Sequence, residues 1–298
     1  LRASIGIDQK ELSKRWRRWI KERYWPQVVK MDELDKSSTR LTNHQEDYCY
    51  INNSPAISPN GEWIAFLSDR SDYFDVYLMS TLDGKVHRRL VRGQRSGRFE
   101  ELHWLRPGIS WSPNGKNIAF CAKSGGEDAL YIIDVQEGRV TNTFKFNSDG
   151  LFSPSWSPDG KNIALIHVLN GRSDLAIVNV TSGKLQKITS DIYDEADPSW
   201  SSDSRSLLFT SNRGDAPLDQ SERANKSILF TDYEEFDVYQ IQIDSRIMKR
   251  ITDDPFVERT PIWSPEDEDV ILYVSNRTGA YNLYLHTIST SEIRSFTN

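Results

Sequence analysis

Short apolar runs alternate with polar turn residues along most of the chain. The clearest unit is Ser153-Pro154-Ser155-Trp156-Ser157-Pro158-Asp159-Gly160-Lys161-Asn162-Ile163-Ala164-Leu165-Ile166. A short strand ending at Trp156 meets the turn Pro158-Asp159-Gly160, and an apolar run leads away from it. Proline presets φ at the first corner, aspartate bonds the backbone ahead of it, and glycine takes the left-handed residue that returns the chain. The pattern predicts a β-hairpin.

The hairpin recurs at Ile57-Ser58-Pro59-Asn60-Gly61, Trp111-Ser112-Pro113-Asn114-Gly115, Trp200-Ser201-Ser202-Asp203-Ser204 and Trp263-Ser264-Pro265-Glu266-Asp267. Successive copies start 54, 45, 44 and 63 residues apart, a spacing at which self-similarity means a propeller or a solenoid. After each turn comes a second apolar strand, as in Trp63-Ile64-Ala65-Phe66 or Leu207-Leu208-Phe209, and then a third, as in Val76-Tyr77-Leu78-Met79 or Leu283-Tyr284-Leu285. Asp83-Gly84, Glu137-Gly138 and Ser182-Gly183 turn the chain into a fourth strand, typified by Leu185-Gln186-Lys187-Ile188-Thr189. The expected fold is all-β, a β-propeller of four-stranded antiparallel blades with five full repeats.

These residues also resemble a known family. Asp197-Pro198-Ser199-Trp200, Ser68-Asp69-Arg70, Ser275-Asn276-Arg277, Asp75-Val76-Tyr77, Asp237-Val238-Tyr239 and Ile251-Thr252-Asp253 look like the TolB-type, WD40-like propeller repeat of bacterial envelope proteins, over about residues 40 to 298. The resemblance implies a periplasmic or secreted setting. For function it is open, because non-catalytic binding propellers and the propellers attached to serine peptidases share the repeat. Six-bladed members commonly complete one blade with strands from both chain ends. Arg40-Leu41-Thr42-Asn43 reads as an orphan fourth strand, which implies a six-bladed parent with five-bladed closure as the alternative.

Residues 1–39 read as a separate helix and linker ahead of the propeller at 40–298. Asp8 as N-cap with Glu11 three residues on, then Leu12, Trp16, Trp19, Ile20 and Tyr24 at helical spacing, predict a short N-terminal helix that Pro26 stops. Lys14, Arg15, Arg17, Arg18 and Lys21 fill much of its other face. A basic aromatic helix suits a membrane surface or an acidic partner, or else packs its stripe on a neighbouring domain. The segment also resembles the helical tail that joins a gluzincin-type zinc peptidase domain to TolB-type repeats, which implies an accessory propeller docking substrate for a catalytic domain outside this chain.

A mean hydropathy of −0.60 suits a soluble β protein, and no apolar run is long enough to span a membrane. The net charge of −6 gives no general reason to expect nucleic acid. Two cysteines, Cys49 and Cys121, leave room for one disulfide, with Cys121 reading as a buried thiol. The chain starts at Leu1 without a signal peptide, so the expectation is a processed or excised piece.

Catalytic motifs are missing. Gly108-Ile109-Ser110-Trp111-Ser112 lacks the last glycine of a nucleophile elbow, and His44-Gln45-Glu46-Asp47-Tyr48 does not fit H-E-x-x-H. The histidines are scattered, although His44, His103 and His167 fall on or near one face, where a site assembled across blades remains open. Strand alternation puts the loops between blades, and those between second and third strands, on that same face. It carries the long segments Val91 to Gly108 and Ser211 to Phe236, so binding is expected there.

Glu46, Asp47, Glu100, Glu101, Asp149, Asp191, Asp194, Glu195, Asp197, Asp253, Asp254 and Glu258 also fall on that face. A ring of like charge would favour cations or basic peptide segments, and residues 191–197 offer oxygen ligands for calcium without EF-hand spacing. The competing reading is that these carboxylates solvate turns and accept backbone N–H bonds, with Arg92, Arg95, Arg98 and Arg106 neutralising them. Arg70, Arg213 and Arg277 follow second strands and suit a structural or a partner-binding role equally. Asp75, Asp174 and Asp237 open third strands and read as structural, with Asp128 one residue out of phase; Trp111, Trp156, Trp200 and Trp263 read as core. The sum is a non-catalytic propeller that binds a protein or peptide at the inter-blade face, through residues drawn from these carboxylates and arginines and His103.

Overall fold

The computed structural model describes residues 6–25, 38–93, 99–106, 108–218 and 235–297. Five four-stranded antiparallel sheets follow one another in chain order. Blade 1 is β1 (Asn52–Ile57), β2 (Trp63–Ser68), β3 (Asp75–Ser80) and β4 (Val86–Val91), and blade 2 is β5 (Ile109–Trp111), β6 (Asn117–Ser124), β7 (Glu127–Asp134) and β8 (Arg139–Lys145). Blade 3 comprises β9 (Gly150–Trp156), β10 (Asn162–Leu169), β11 (Arg172–Asn179) and β12 (Leu185–Lys187). Blade 4 comprises β13 (Glu195–Trp200), β14 (Ser206–Ser211), β15 (Asp237–Gln242) and β16 (Met248–Arg250), and blade 5 β17 (Glu258–Trp263), β18 (Val270–Ser275), β19 (Asn282–Thr287) and β20 (Glu292–Ser295). The expected blades are all present.

The recurring turn is held by its own side chains. In blade 3 the Ser157 hydroxyl donates to Asp159 Oδ1 at 2.6 Å and accepts the Asn162 amide at 3.0 Å, while Gly160 takes φ 75°. Blade 4 repeats these bonds with Ser201, Asp203 and Ser206, and there Ser204 adopts the left-handed conformation at φ 61°. The repeated threonine after the fourth strand closes the other edge. Thr189, Thr252 and Thr297 accept the amides of Leu175, Val238 and Leu283 near the starts of the third strands. The aspartates that open third strands pair with the fourth strand of their own blade, Asp75 with Arg89, Asp174 with Lys187 and Asp237 with Arg250.

Both faces of each sheet are apolar, so the blades bury one another. Ala65, Leu67 and Leu78 of blade 1 share a core with Ile118, Phe120 and Tyr131 of blade 2, and equivalent clusters join blade 2 to 3, 3 to 4 and 4 to 5. Inner-strand tryptophans add hydrogen bonds across these interfaces. Trp111 Nε1 donates to Ala56 O at 2.8 Å and Trp200 Nε1 to Ser155 O at 2.9 Å, whereas Trp156 turns to Gly160 O in its own hairpin. Trp263 Nε1 is buried without a partner among the described residues.

The two ends of the blade series differ. Blade 1 covers Ile64, Phe66, Tyr77 and Met79 with Leu41, which lies against the Gly84 turn where blades 2 and 3 receive Arg88 and Phe144 of the preceding blade. Residues 40–43 thus follow the course of a fourth strand but form no strand, correcting that expectation: no described strand pairs with them. Asn43 instead caps the one-turn helix α2 (His44–Asp47), which follows the N-terminal helix α1 (Gln9–Tyr24). Blade 5 leaves its last face uncovered, with Ile262 exposed and Leu272 and Leu283 half-buried, whereas their blade 4 counterparts Leu208 and Val238 are fully buried. Among the described residues, no core cluster joins blade 5 to blade 1.

Helix α1 has the expected Asp8 cap, and its aromatic stripe stands in solvent, with Trp16 and Trp19 exposed. Cys49 and Cys121 are both buried and unbonded to each other, and burial pushes the Cys121 thiol up.

Trp200→Phe removes a buried bond between blades, whereas Trp263→Phe removes an indole N–H that had no acceptor. The first should lower stability by about 1 kcal/mol more than the second, read as urea-unfolding midpoints by circular dichroism.

Candidate functional site

The inner strands begin on the rim where the inter-blade loops converge, and four of the five begin with a bulge. Ser54, Ser153, Asp197 and Thr260 take φ of 51°, 49°, 53° and 48°, each immediately before a proline. A left-handed residue is unfavourable for a side chain with a Cβ and more so ahead of proline, at about 1–3 kcal/mol each. Register shifts at Asn53/Ala56, Ala196/Ser199 and Arg259/Ile262 accompany three of them, and the fourth lies where Ala164 and Ile166 pair with Ser155 and Phe152. Blade 2 has Gly108 at this place, and a Cβ there would meet Ser153 Cα at 2.8 Å. The start of blade 2 therefore touches the bulge of blade 3. Between blades 4 and 5 the contact is polar, since Asp197 Oδ2 accepts the Thr260 amide at 3.0 Å.

Just outside this belt, arginines sit between carboxylates. Arg213 Nη2 donates to Asp191 Oδ2 at 3.0 Å and to Glu195 Oε1, and all three side chains are fully buried. Thr189 donates to the other oxygen of Glu195 at 2.6 Å, tying the end of blade 3 to the start of blade 4. Blade 5 repeats the arrangement: Arg277 Nη2 reaches Asp254 at 2.8 Å and Glu258 at 3.4 Å, with its guanidinium over the Tyr284 ring at 4.8 Å. In blade 1, Arg70 lies over Tyr77 and Phe66 and 3.7 Å from Asp47. Blades 2 and 3 carry Ser124 and Leu169 at that position and close the second hairpin tightly at Gly125-Gly126 and Asn170-Gly171.

The remaining rim carboxylates mostly cap loops. Glu100 accepts the amides of Gly125 and Gly126, Asp149 that of Asn170, and Asp69 those of Tyr50 and Ile51. Glu101 pairs with Lys123 through the backbone. Asp194 is half-buried, with its amide on Asn212, and Asp253 is exposed. His103 lies 2.9 Å from Asp128, with its ring edge on Phe152. Arg95 and Arg98, and the stretch 219–234 of the long blade 4 segment, lie outside the described residues.

Of the twelve loop carboxylates, Asp191, Glu195 and Glu258 are buried beside Arg213 and Arg277, whereas Glu46, Glu100, Asp149 and Asp253 are exposed. Arg213 already supplies positive charge between the carboxylates read as calcium ligands. Among the described residues, no group of three His, Cys, Asp or Glu side chains is placed to hold a metal. Burial pushes Glu195 up to about 7 against the pull of Arg213, and it does the same to Glu258 beside Asp254 and Arg277. Burial also raises Asp197, opposed by the Thr260 amide, Arg259 and Arg106.

Sequence reasoning missed two features of the rim. The first is aromatic: Tyr48 and Tyr50 are 87% and 89% exposed, and Tyr73 and Tyr281 stand out on the same side. The second is Arg259, directly ahead of the Thr260 bulge; only its place before the Thr-Pro pair could have singled it out.

The blades and this rim define the protein as a β-propeller. Residues 103–226 match the family described as the TolB beta propeller domain, so the repeats within that stretch are similar to the TolB type. No curated protein matches the chain. Among solved structures, TolB from Acinetobacter baumannii aligns with a TM-score of 0.63 at 17% identity, over 83% of this chain and 54% of that one. A putative TolB from Agrobacterium tumefaciens aligns with a TM-score of 0.61 at 19% identity, over 82% and 80% of the two chains. A prolyl endopeptidase structure aligns with a TM-score of 0.53 at 14% identity, over 98% of this chain and 42% of that one. At such identities the likeness is one of fold, and the chain spans about half the length of the first of these proteins.

Arg213→Met strands two buried carboxylates and should cost about 3–5 kcal/mol, whereas Arg70→Met, beside a partly exposed Asp47, should cost about 1 kcal/mol or less. Chemical denaturation of both variants checks the contrast. Glu195 and Glu258 ionise near 4.5 when unfolded and near 7 when folded. Between those values the folded chain holds protons that the unfolded chain has released, so their contribution to stability falls as pH rises through the window. The double variant Glu195→Gln, Glu258→Gln should flatten that decline in a series of thermal melts.

Proposed function

We propose that this propeller is a non-catalytic binding module whose inter-blade rim receives a protein or peptide. The observation that carries this reading is the placement of its exposed aromatic residues. Among the described residues of the propeller, every large aromatic side chain classed as exposed, namely Tyr48, Tyr50, Tyr73, Tyr281 and Phe296, lies at the inter-blade end of the blades. Tyrosine offers broad contact area at low entropic cost together with a polar tip, which is why it is enriched in recognition surfaces. The bulges beneath tie neighbouring blade starts together, Gly108 against Ser153 and Asp197 against Thr260, and a preformed surface reduces the ordering penalty of binding.

Likeness to TolB structures and the TolB-type match over residues 103–226 support a bacterial envelope setting, periplasmic or secreted. No described helix is long and apolar enough to cross a membrane. Likeness to a prolyl endopeptidase structure supports a second reading, an accessory propeller that docks substrate for a peptidase domain elsewhere in a larger protein. A zinc-peptidase H-E-x-x-H motif in the parent reading frame would favour that alternative; a parent without any peptidase signature would remove it.

A photo-crosslinking residue at Tyr50 should give discrete protein or peptide adducts in an extract of the source cell, whereas one at Leu82, exposed on the opposite side, should not. Equal adducts from both positions, or none from Tyr50, would contradict rim binding.

A further inference from the structure

We propose that Arg106 and Arg259 form a carboxylate-receiving pair on the rim, so that the peptide held there is acidic. This rests on the rim-binding reading and names the partner's chemistry. It also reverses the sign that the count of loop carboxylates suggests.

The placement comes from the bulges. Arg259 immediately precedes the Thr260 bulge of blade 5, as Phe152 precedes the Ser153 bulge of blade 3, and the two occupy equivalent register positions on β17 and β9. Arg106 lies two residues ahead of Gly108, whose backbone abuts Ser153 and Pro154, and its guanidinium stacks over Phe152 at 5.7 Å. Both arginines lie close enough to Asp197, at the blade 4 bulge, to act on its charge. The starts of four successive inner strands thus bring the two cations to one level of the rim.

Their chemistry sets them apart from the other rim arginines. Arg70, Arg213 and Arg277 each face a carboxylate just ahead of their own blade, Asp47, Asp191 and Asp254. Arg106 and Arg259 are exposed, and among the described residues neither side chain makes an ion pair or a hydrogen bond. Arg259 lies over the Tyr281 ring at 5.3 Å. A guanidinium held over an aromatic face still has its N–H groups available for two-pronged contact with a carboxylate. Asp197 does not satisfy them, because it is half-buried and its Oδ2 accepts the Thr260 amide. Glu46, Glu100, Asp149 and Asp253 remain exposed on the same rim, so the match is to a short acidic segment seated at the two arginines and not to a polyanion.

The test is fluorescence anisotropy with a labelled peptide of alternating glutamate and glycine, its glutamine counterpart and its lysine counterpart. The glutamate peptide should bind, at least about tenfold tighter than the glutamine one, and more weakly as salt rises. The double variant Arg106→Gln, Arg259→Gln should lose that preference with an unchanged melting temperature, while Arg106→Lys, Arg259→Lys should keep part of it. Equal binding of the glutamate and glutamine peptides, or a preference that survives the glutamine variant, would overturn the carboxylate pair. If the lysine or glutamine peptide binds and competes with adducts formed at Tyr50, the pair is refuted while rim binding stands. If no peptide binds and Tyr50 forms no adduct, both fall.

Discussion

A four-stranded sheet that is apolar on both faces cannot rest with either face in water, and this constraint organises the molecule. Each of blades 2 to 4 has one neighbouring blade on either apolar face. Burying a leucine or phenylalanine is worth about 1.5–3 kcal/mol, far more than any single hydrogen bond between the blades. The tryptophan bonds and the bulge contacts therefore set the alignment of blades whose association is driven by apolar burial. Where a neighbour is lacking the chain improvises: Leu41 covers blade 1 without forming a strand, while blade 5 stays partly open at Ile262.

The same close packing decides the charge of the rim. Bringing the blade starts together draws Asp191, Glu195 and Glu258 out of water, and a buried carboxylate is tolerated only with a partner or a proton. Arg213 and Arg277 are the partners, and the upward displacement of Glu195 and Glu258 shows that desolvation outweighs their attraction. What stays exposed is of another kind: tyrosines, a few carboxylates, and two guanidiniums lying on aromatic rings. A rim that looks acidic in composition is thereby less acidic where a ligand would meet it.

Local chemistry made the fold legible. The Ser-Pro-Asp-Gly turn closes through its own serine and aspartate, and the threonine after each fourth strand bonds an amide of its own blade, so each signal acts within a few residues or within one hairpin. The site was less legible because its meaning depends on partners far apart in the chain. Glu195 looks like any loop acid until Arg213 is placed beside it, and Asp197 until the Thr260 amide arrives from the next blade. Arg40-Leu41-Thr42 reads as an orphan fourth strand from its likeness to the other blade ends, and only the packing of Leu41 on blade 1 shows a covering segment that forms no strand.

The sequence by itself determined the blade, its four strands, its turns and the number of its copies, because those follow from periodicity and turn residues acting locally. Only the tertiary structure decided which charged groups face inward and which face solvent. That choice is made when neighbouring blades exclude water from their shared rim, and no single repeat contains both sides of that interface.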